Sequence, residues 1–368
     1  SLISFSRNGE KEGRNVTCPY SQAMPYLARA TMGERMAGTR VLQPIVDFQK
    51  GRHHVHDALL GLGRELGASK TASSRAFRAA EAAQKRFTDQ RRARGEEAIR
   101  SLRESGRRAL VLVGRTYNTC DGGVNLNLPR KIKDLGWVPF PMDFLPLSTP
   151  TGEKTVPNMY WRTGQRIMAA VEFLRGRDDL LPIYLTNFGC GPDSFISHFF
   201  KEKMAGHPFL QIEVDEHSAD AGALTRIEAF LDSIPPAEEM RPIGTAISSA
   251  KAGPNTTGEG RTLFLPRMSD HAVALSGAFQ AVGQEAEVLP KSDESTIILG
   301  RKHTSGKECY PCIVTTGDIV RKIAEPGFDP DRSAFFMPTA EGPCRFGQYR
   351  AHLERVLRQL GHDDIPIL

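Results

Sequence analysis

The sequence predicts an α/β protein built on parallel β-sheets. Three apolar, strand-like stretches each end in a Gly-, Pro- or Asn-containing loop with a cysteine: RALVLVGRTYNTCDGG (108–123), LLPIYLTNFGCGPDS (180–194) and SAFFMPTAEGPCRFG (333–347). Two of these loops lead into segments with helical spacing, SFISHFFKEKM and QYRAHLERVLRQL. The order strand, loop, helix is typical of parallel α/β sheets, in which ligands bind at the carboxyl ends of the strands.

Composition divides the chain into four segments. We expect residues 1–107 to be a largely helical N-terminal segment with the first cysteine turn, and 108–234 to form a first α/β domain. Residues 235–260, rich in Pro, Gly, Ser and Thr, are interpreted as a linker. A second α/β domain is expected over 261–368, where RTLFLPRM, HAVALSGAFQAVG and AEVLP predict a strand, a helix and a strand. Because the chain stops in DIPIL, which resembles a strand, we expect this domain to be cut short at its C-terminus.

Charge and hydropathy disfavour two classes of partner. The formal net charge is +5, from 48 Lys and Arg against 43 Asp and Glu. The basic excess lies mainly in 75–108, where interleaved acids and few aromatic residues favour a solvated helix over a nucleic-acid-binding arm. The sequence shows no secretory signal and no run of about 18 apolar residues. We therefore expect a cytoplasmic protein with reduced thiols and with neither nucleic acid nor membrane as a partner.

Six cysteines are the main functional signal of the sequence. Each lies near Gly, Pro, Asn or Thr in a predicted turn, where converging backbone N–H groups stabilise anions such as thiolate and sulfide. NVTCPYSQAMPYLARA and GKECYPCIVTTGDIVRKI share one plan, a cysteine turn before an apolar helix, which favours a degenerate duplication with three cysteines in each half. The six are Cys18, Cys120, Cys190, Cys309, Cys312 and Cys344.

Several kinds of site could use these thiols. An unremarkable buried thiol is the simplest interpretation of any single cysteine. A structural zinc site usually takes close pairs of ligands, and here Cys309 and Cys312 form the one close pair. The same pair could be a thioredoxin-like redox centre, which needs a preceding strand and an exposed helix N-terminus. Single thiols that converge from strand ends suit an iron–sulfur cluster buried between two domains.

Long motifs give the chain a family resemblance, strongest over 108–232 and 261–368. The motifs are GRTYNTCDGGVNLNLPRKIKDLG, NMYWRTGQRI, YLTNFGCGPDSFISHFF, PFLQIEVDEHSADAGALTRIEAFLDS, HTSGKECYPCIVTTGD and FFMPTAEGPCRFGQY. In them the chain resembles the acyl-CoA dehydratase activase-related proteins. The later part of those proteins is similar to the subunits of 2-hydroxyacyl-CoA dehydratase and benzoyl-CoA reductase and to the double-cubane cluster proteins.

The resemblance implies a fold and a cofactor. The fold is a pair of flavodoxin-like parallel-sheet domains with an iron–sulfur cluster in the cleft between them. The implied ligands are the six cysteines named above. In the family, an 8Fe–9S double cubane takes six cysteines and a single 4Fe–4S cluster takes three, so the six cysteines of this chain favour the double cubane.

The resemblance also implies a partner and a type of reaction. Electrons of low potential would come from an ATP-dependent activator, separate or tethered, and would act anaerobically on a small or CoA-linked substrate. The chain has neither a G-x-x-x-x-G-K-[ST] nor a G-x-G-x-x-G loop, so we expect no ATPase activity within it. We expect a homodimer. Three hypotheses stay open: a dehydratase-like lyase or reductase, a non-catalytic electron-transfer or scaffold module of a larger activase, and a thiol–disulfide oxidoreductase.

Two stretches outside the cysteines are candidates for proton transfer. EVDEHSADAG (213–222) contains Glu216 and His217, and His303 comes shortly before the cysteine turn. Carboxylates and histidines near a redox centre can supply protons, so these three residues are the candidate catalytic residues. A helix start capped by Ser218 or Asp220 is the alternative interpretation of the first stretch.

Overall fold

The computed structural model describes residues 2–4, 16–147, 158–217, 219–235, 260–340 and 342–368. Within these ranges the chain forms twelve α-helices, α1–α12, and nine β-strands, β1–β9, all in parallel sheets. The predicted α/β class is therefore confirmed. The flavodoxin-like domains, the cluster in a cleft and the four segment boundaries stay predictions, and nearly all of the proposed linker, 235–260, lies outside the described residues.

The chain divides into two compact units. Unit 1 comprises Ser1–Thr155, Met159–Phe188 and Phe199–Thr245, and unit 2 comprises Val156–Asn158, Gly189–His198 and Ala246–Leu368. The boundary passes through helix α7 (Gly191–Lys203), whose N-terminal part up to His198 belongs to unit 2. The residues around Cys190 are therefore part of unit 2, although they follow a strand of unit 1 along the chain.

A four-stranded parallel sheet forms the centre of unit 1. Its strands are β3 (Ala109–Val113), β4 (Val138–Pro141), β5 (Leu180–Asn187) and β6 (Leu210–Val214), in the order β4-β3-β5-β6. Every residue of β3 and all but the last of β5 are buried, as expected for parallel strands that are covered on both faces. The strand order reverses between β3 and β5, which is where doubly wound sheets bind ligands.

Helices precede, connect and follow these strands along the chain. They are α1 (Pro19–Met32), α2 (Arg52–Glu65), α3 (Lys70–Glu104), α4 (Thr116–Cys120), α5 (Leu128–Asp134), α6 (Arg162–Leu174) and α8 (Ala221–Ser233). Ile132 of α5 and Ile227 of α8 belong to the buried core that contains the strand residues Leu110 and Ile183. Two short strands, β1 (Leu2–Ser4) and β2 (Val46–Asp47), pair in parallel before α2.

The basic stretch of the sequence lies in the longest helix, α3. This helix has 35 residues, of which only Phe77, Gly95, Ile99 and Leu102 are buried, so most of its charged side chains are solvated. The length alone does not make it a membrane helix. None of the helices in the described ranges is both long and apolar enough to cross a membrane.

Unit 2 contains a smaller parallel sheet. Its strands are β7 (Thr262–Leu265), β8 (Ala286–Val288) and β9 (Ser333–Phe335), in the order β8-β7-β9. The terminal DIPIL segment lies beside β9, where Ile367 forms a parallel bridge with Phe335. The remaining helices are α9 (His271–Ala281), α10 (Glu294–Lys302), α11 (Tyr310–Ile323) and α12 (Tyr349–Gln359).

Candidate metal centre

All six cysteines are free thiols at or near the ends of helices. Cys18 is the N-cap of α1, and Cys309 is the N-cap of α11. Cys190 directly precedes α7, and Cys344 is the N-cap of a short 3-10 helix, Arg345–Gln348, that leads into α12. These positions place the thiols near backbone N–H groups that have no partner within the helix and that favour negative charge.

Cys120 and Cys312 differ from the turn positions predicted for them. Cys120 is the last residue of α4, and Cys312 lies in the first turn of α11 with 0% of its surface exposed. Pro311, the second residue of α11, explains the position of Cys312. Proline is well tolerated in the first turn of a helix, so α11 begins at Tyr310, before the second cysteine of the pair.

In unit 2, three cysteines lie near the phenol of Tyr349. The Tyr349 Oη is hydrogen-bonded to the Cys309 Sγ at 2.5 Å. Burial raises the pKa of Tyr349 far above its usual range, and this hydrogen bond raises it further. Negative charge on Cys309, Cys312 and Cys344 acts in the same direction. The phenol therefore remains protonated and can donate a hydrogen bond to a thiolate or a sulfide.

Burial disfavours the thiolate form of Cys312 when no cation lies beside its sulfur. Burial raises the pKa of the Cys312 thiol, and the nearby Cys309 and Glu308 raise it further, while the positive charge of Arg345 opposes them. A metal ion or cluster supplies the missing positive charge directly, because a ligating thiol is deprotonated by the metal. The same thiol would stay protonated at neutral pH without such a partner.

Arg345 connects the segments that carry the cysteines of unit 2. Its Nη1 donates to the Ser194 Oγ and to the Lys307 carbonyl oxygen, both at 3.1 Å. Its side chain also lies 3.6 Å from the position that a Cβ on Gly191 would take. Arg345 directly follows Cys344, and its guanidinium thus joins the start of α7, next to Cys190, to the turn before α11.

Two glycines fix the position of α11. A Cβ on Gly300 of α10 would lie 1.9 Å from the carbonyl oxygen of Ile313, and a Cβ on Gly317 of α11 would lie 1.8 Å from that of Thr296. The two helix backbones therefore touch at both glycines. This contact holds α11, with Cys309 and Cys312 at its N-terminus, against α10.

The spacing of the thiols in unit 2 differs from that of a zinc–thiolate site. Ligand atoms of a tetrahedral zinc ion with Zn–S bonds of about 2.3 Å lie about 3.8 Å apart. In the described part of the chain, two groups of three ligating side chains have donor atoms that all lie within 4.8 Å of one another, and neither includes a cysteine. Among the described residues, no three cysteine sulfurs are therefore as close together as the ligands of a zinc–thiolate site.

In unit 1, Cys120 lies at the carboxyl edge of the sheet. Asn118, two residues earlier in α4, donates through its Nδ2 to the Leu185 carbonyl at 3.3 Å and to the Asn187 Oδ1 at 2.7 Å. These bonds hold the loop after β3 against the end of β5, the reversal point of the strand order. The Cys18 Sγ is hydrogen-bonded to the Ser21 Oγ at 3.2 Å and accepts from the Ser21 N–H at 3.4 Å.

A buried carboxylate, Asp143, supports the residues around Cys120. It accepts hydrogen bonds from the Thr116 and Thr119 hydroxyls at 3.0 and 3.2 Å and from Arg166 at 2.9 Å, and Arg91 lies 3.6 Å away. Cys120 is near enough to Arg91 to affect its pKa, which burial lowers. Positive charge is therefore available beside the Cys120 thiol, as it is beside Cys312 in unit 2.

We expect Asp143→Asn to destabilise unit 1 by about 1–3 kcal/mol, because Arg166 and Arg91 lose the carboxylate they pair with in a partly buried site. The free energy of unfolding, from denaturant titration, checks this. Asp89→Asn is the control, since the Asp89–Lys85 pair on α3 is exposed and should contribute about 0.5 kcal/mol or less. Equal losses in the two variants would contradict the role assigned to Asp143.

The predicted catalytic residues lie in two different units. Glu216 and His217 belong to an exposed loop after β6 in unit 1, where Asp215 accepts a hydrogen bond from the His217 backbone at 2.9 Å. His303 is the C-cap of α10 in unit 2, where burial and then the charge of Arg355 lower its pKa. The structure does not bring the three side chains into one described group, and their catalytic roles stay predictions.

Sequence reasoning missed four residues of unit 2. Tyr349 and His352 lie on α12, His198 lies on α7, and Glu308 directly precedes Cys309. The one signal that could have indicated them is composition: a histidine within the apolar run SFISHFF, another within YRAHLERVL, and an acid inside a cysteine turn.

The comparisons with known proteins support part of the family resemblance. Residues 1–145 match a family model described as the CoA enzyme activase uncharacterised domain (DUF2229). No curated protein and no solved structure matches the chain. The family match supports the resemblance to acyl-CoA dehydratase activase-related proteins, while the likeness to dehydratase and reductase subunits still rests on the motifs after residue 145. The N-terminal part of the chain is thus similar to a domain of CoA enzyme activases.

Proposed function

We propose that this protein is an iron–sulfur redox component of the activase–dehydratase system. The observation that carries the proposal is the contact of Cys309 with the Tyr349 phenol, with Cys312 in the first turn of the helix that Cys309 caps and Cys344 at the start of the 3-10 helix that leads to Tyr349. Clusters are held by thiolates, and three converging thiols are a sufficient set for one cubane in the family that the chain resembles.

The residues present in unit 2 fit such a cofactor. A thiolate-bound cluster is anionic, and the helix N-termini, the Tyr349 hydroxyl and the Arg345 guanidinium all offer positive charge or hydrogen-bond donors. When bound, the cluster would supply electron transfer at low potential. The chain itself would bind and orient the cluster, hold a proton at the Tyr349 Oη and keep water away from the buried Cys312 sulfur.

Strand order supports the flavodoxin-like part of the proposal. Numbered along the chain, the sheet of unit 1 runs 2-1-3-4 and that of unit 2 runs 2-1-3. Both correspond to the first positions of the flavodoxin-like order 2-1-3-4-5. We propose that each unit is an incomplete or extended version of this fold. In unit 1, Cys120 then occupies the ligand-binding edge that the fold provides.

The family match supports a place in an ATP-activated system. Since residues 1–145 are similar to an activase domain, we propose that electrons reach the cluster from an ATP-dependent activator, separate or tethered. The substrate would be small or CoA-linked, as the resemblance implies, and we expect the active form to be a homodimer. A non-catalytic electron carrier within a larger activase is the alternative, and reduction of a substrate by activator-coupled protein would separate the two.

The thiol–disulfide oxidoreductase is the third candidate, and one observation favours it: Cys309 caps a helix and Cys312 is buried one turn later. The preceding element disfavours it. A thioredoxin-like site follows a strand, whereas here helix α10 and a turn precede the pair. Such a site would also leave Cys344 and the Tyr349 hydroxyl without a role.

We expect the protein, purified without oxygen, to be brown and to contain about eight irons with matching acid-labile sulfide, because thiolate-held cubanes account for six cysteines. Iron and sulfide assays, with electron paramagnetic resonance of the reduced sample, check this. About four irons would indicate a single cluster held by three of the thiols. One zinc and no sulfide would contradict the proposed function.

A further inference from the structure

His198, Glu308 and His352 place one carboxylate between two imidazoles in unit 2. One ligand atom from each residue lies within 4.8 Å of the other two. The His198 Nε2 is hydrogen-bonded to the Glu308 Oε1, and the two imidazole rings have centroids 5.4 Å apart. The three side chains come from separate segments: α7, the turn before α11, and α12.

His352 is a buried imidazole without a hydrogen-bond partner. It is 1% exposed, and within the described residues neither its Nδ1 nor its Nε2 has a partner. Burying a polar group in this way costs free energy unless a ligand or water satisfies it. His207 in unit 1 shows the ordinary alternative, since this buried histidine bonds to the Pro208 and Arg177 carbonyls at 3.0 and 2.7 Å.

The protonation states of two of these residues suit a metal ion. Burial lowers the pKa of His352 far below its usual range, and the charge of Arg355 lowers it further, so the imidazole is neutral with a free lone pair. The Glu308 carboxylate accepts hydrogen bonds from the Ser305 N–H and hydroxyl and is hydrogen-bonded to the His198 Nε2. Glu308 is therefore a carboxylate. Metals bind histidine and glutamate in these forms.

Glu308 is held in place independently of the two histidines. Its carboxylate accepts from the Ser305 backbone N–H at 3.0 and 3.2 Å and from the Ser305 hydroxyl at 3.0 Å. These bonds fix the turn that leads into α11 and orient one ligand of the group. Such outer-shell support is typical of metal-binding carboxylates.

We propose that His198, Glu308 and His352 bind one divalent transition-metal ion of the zinc type. Two imidazoles and one carboxylate are a ligand set of mononuclear zinc and non-haem iron sites, and they leave coordination positions open for water. Binding would replace the His198–Glu308 hydrogen bond with two metal bonds and release any proton held on the His198 Nε2. No cysteine takes part, so the site uses none of the ligands of the iron–sulfur cluster proposed above.

Such an ion would order the segments that carry the thiols. Glu308 is adjacent to Cys309, and His352 lies one turn after Tyr349 on α12. A metal ion that links α7, the turn before α11 and α12 would restrict the motion of all three segments. The ion would therefore stabilise unit 2, whether or not a cluster is bound.

Zinc is the probe, because it binds imidazole nitrogen and carboxylate oxygen and has no redox chemistry of its own. The full chain, freed of metal with a chelator and then given one equivalent of Zn²⁺, is passed through a desalting column. We expect about one zinc per chain, and an X-ray absorption shell of nitrogen and oxygen at about 2.0–2.1 Å. A sulfur shell at about 2.3 Å would place the zinc on the cysteines and overturn the proposal.

Three variants test the ligands. We expect His352→Gln and His198→Gln each to weaken zinc binding by at least about 100-fold, since even outer-shell partners are worth 10- to 100-fold. His207→Gln, which alters a buried histidine outside the group, should bind zinc like the parent. If the parent retains no zinc, or if both ligand variants retain it fully, the group is a water-filled polar cluster and the proposal is wrong. The X-ray absorption spectrum of the parent protein identifies the zinc ligands even where a variant fails to fold.

Discussion

Replacing Cys312 by alanine should remove at least half of the iron and acid-labile sulfide from the anaerobically purified protein. Cys312 is fully buried at the start of α11, so alanine there removes a sulfur ligand from a position shielded from solvent. Because cluster binding is coupled to folding, loss of one ligand also weakens the others. The measurement is iron and sulfide per chain, together with the visible absorption of the cluster.

Ile319→Val provides the matched control. Ile319 is equally buried and lies about two turns after Cys312 on the same helix, and the change should cost about 0.5–1.5 kcal/mol. We expect this variant to keep its full iron content. If Cys312→Ala keeps it as well, the cysteine turn is not a cluster ligand and the proposed function loses its main support.

The second large effect is expected at the contact between α10 and α11. Gly317→Ala would place a methyl group 1.8 Å from the Thr296 carbonyl oxygen, and backbone atoms can move away only if the helices separate. Overpacking of this kind costs about 3 kcal/mol or more, which outweighs the gain of about 1 kcal/mol in helix propensity. We expect a large loss in the free energy of unfolding of unit 2 and a lower iron content, because α11 carries two of the thiols.

Gly277→Ala is the control for this substitution. Gly277 lies within α9 of the same unit, and nothing lies within 4 Å of the position of its Cβ, so alanine there should stabilise by up to about 1 kcal/mol. Gly300→Ala should resemble Gly317→Ala. The double variant should cost less than the sum of the two, because one separation of the helices relieves both clashes. A Gly317→Ala protein as stable as the parent would contradict the close contact.

The sequence alone identified the secondary-structure elements that depend only on residues close together in the chain. Buried parallel strands read as continuous apolar runs, and β3, β5 and β9 lie within the three runs that predicted them. The sequence also indicated that the thiols lie near helix starts, since a helix boundary depends on residues within a turn of it. It did not place Cys312 inside α11, although a helix tolerates proline in its first turn and can therefore begin before Pro311.

Only the tertiary structure decided which side chains meet. Cys309 and Tyr349 are 40 residues apart, and His198 and Glu308 are 110 apart, yet each pair is in contact. The approach of α10 to α11 through Gly300 and Gly317 is equally invisible in the sequence, where both read as weak points of a helix. Contacts of this kind depend on how helices pack against sheets and against one another. Local propensity and spacing carry no information about that packing. The sequence therefore determined which potential ligand residues the chain contains, and the fold determined which side chains surround each of them.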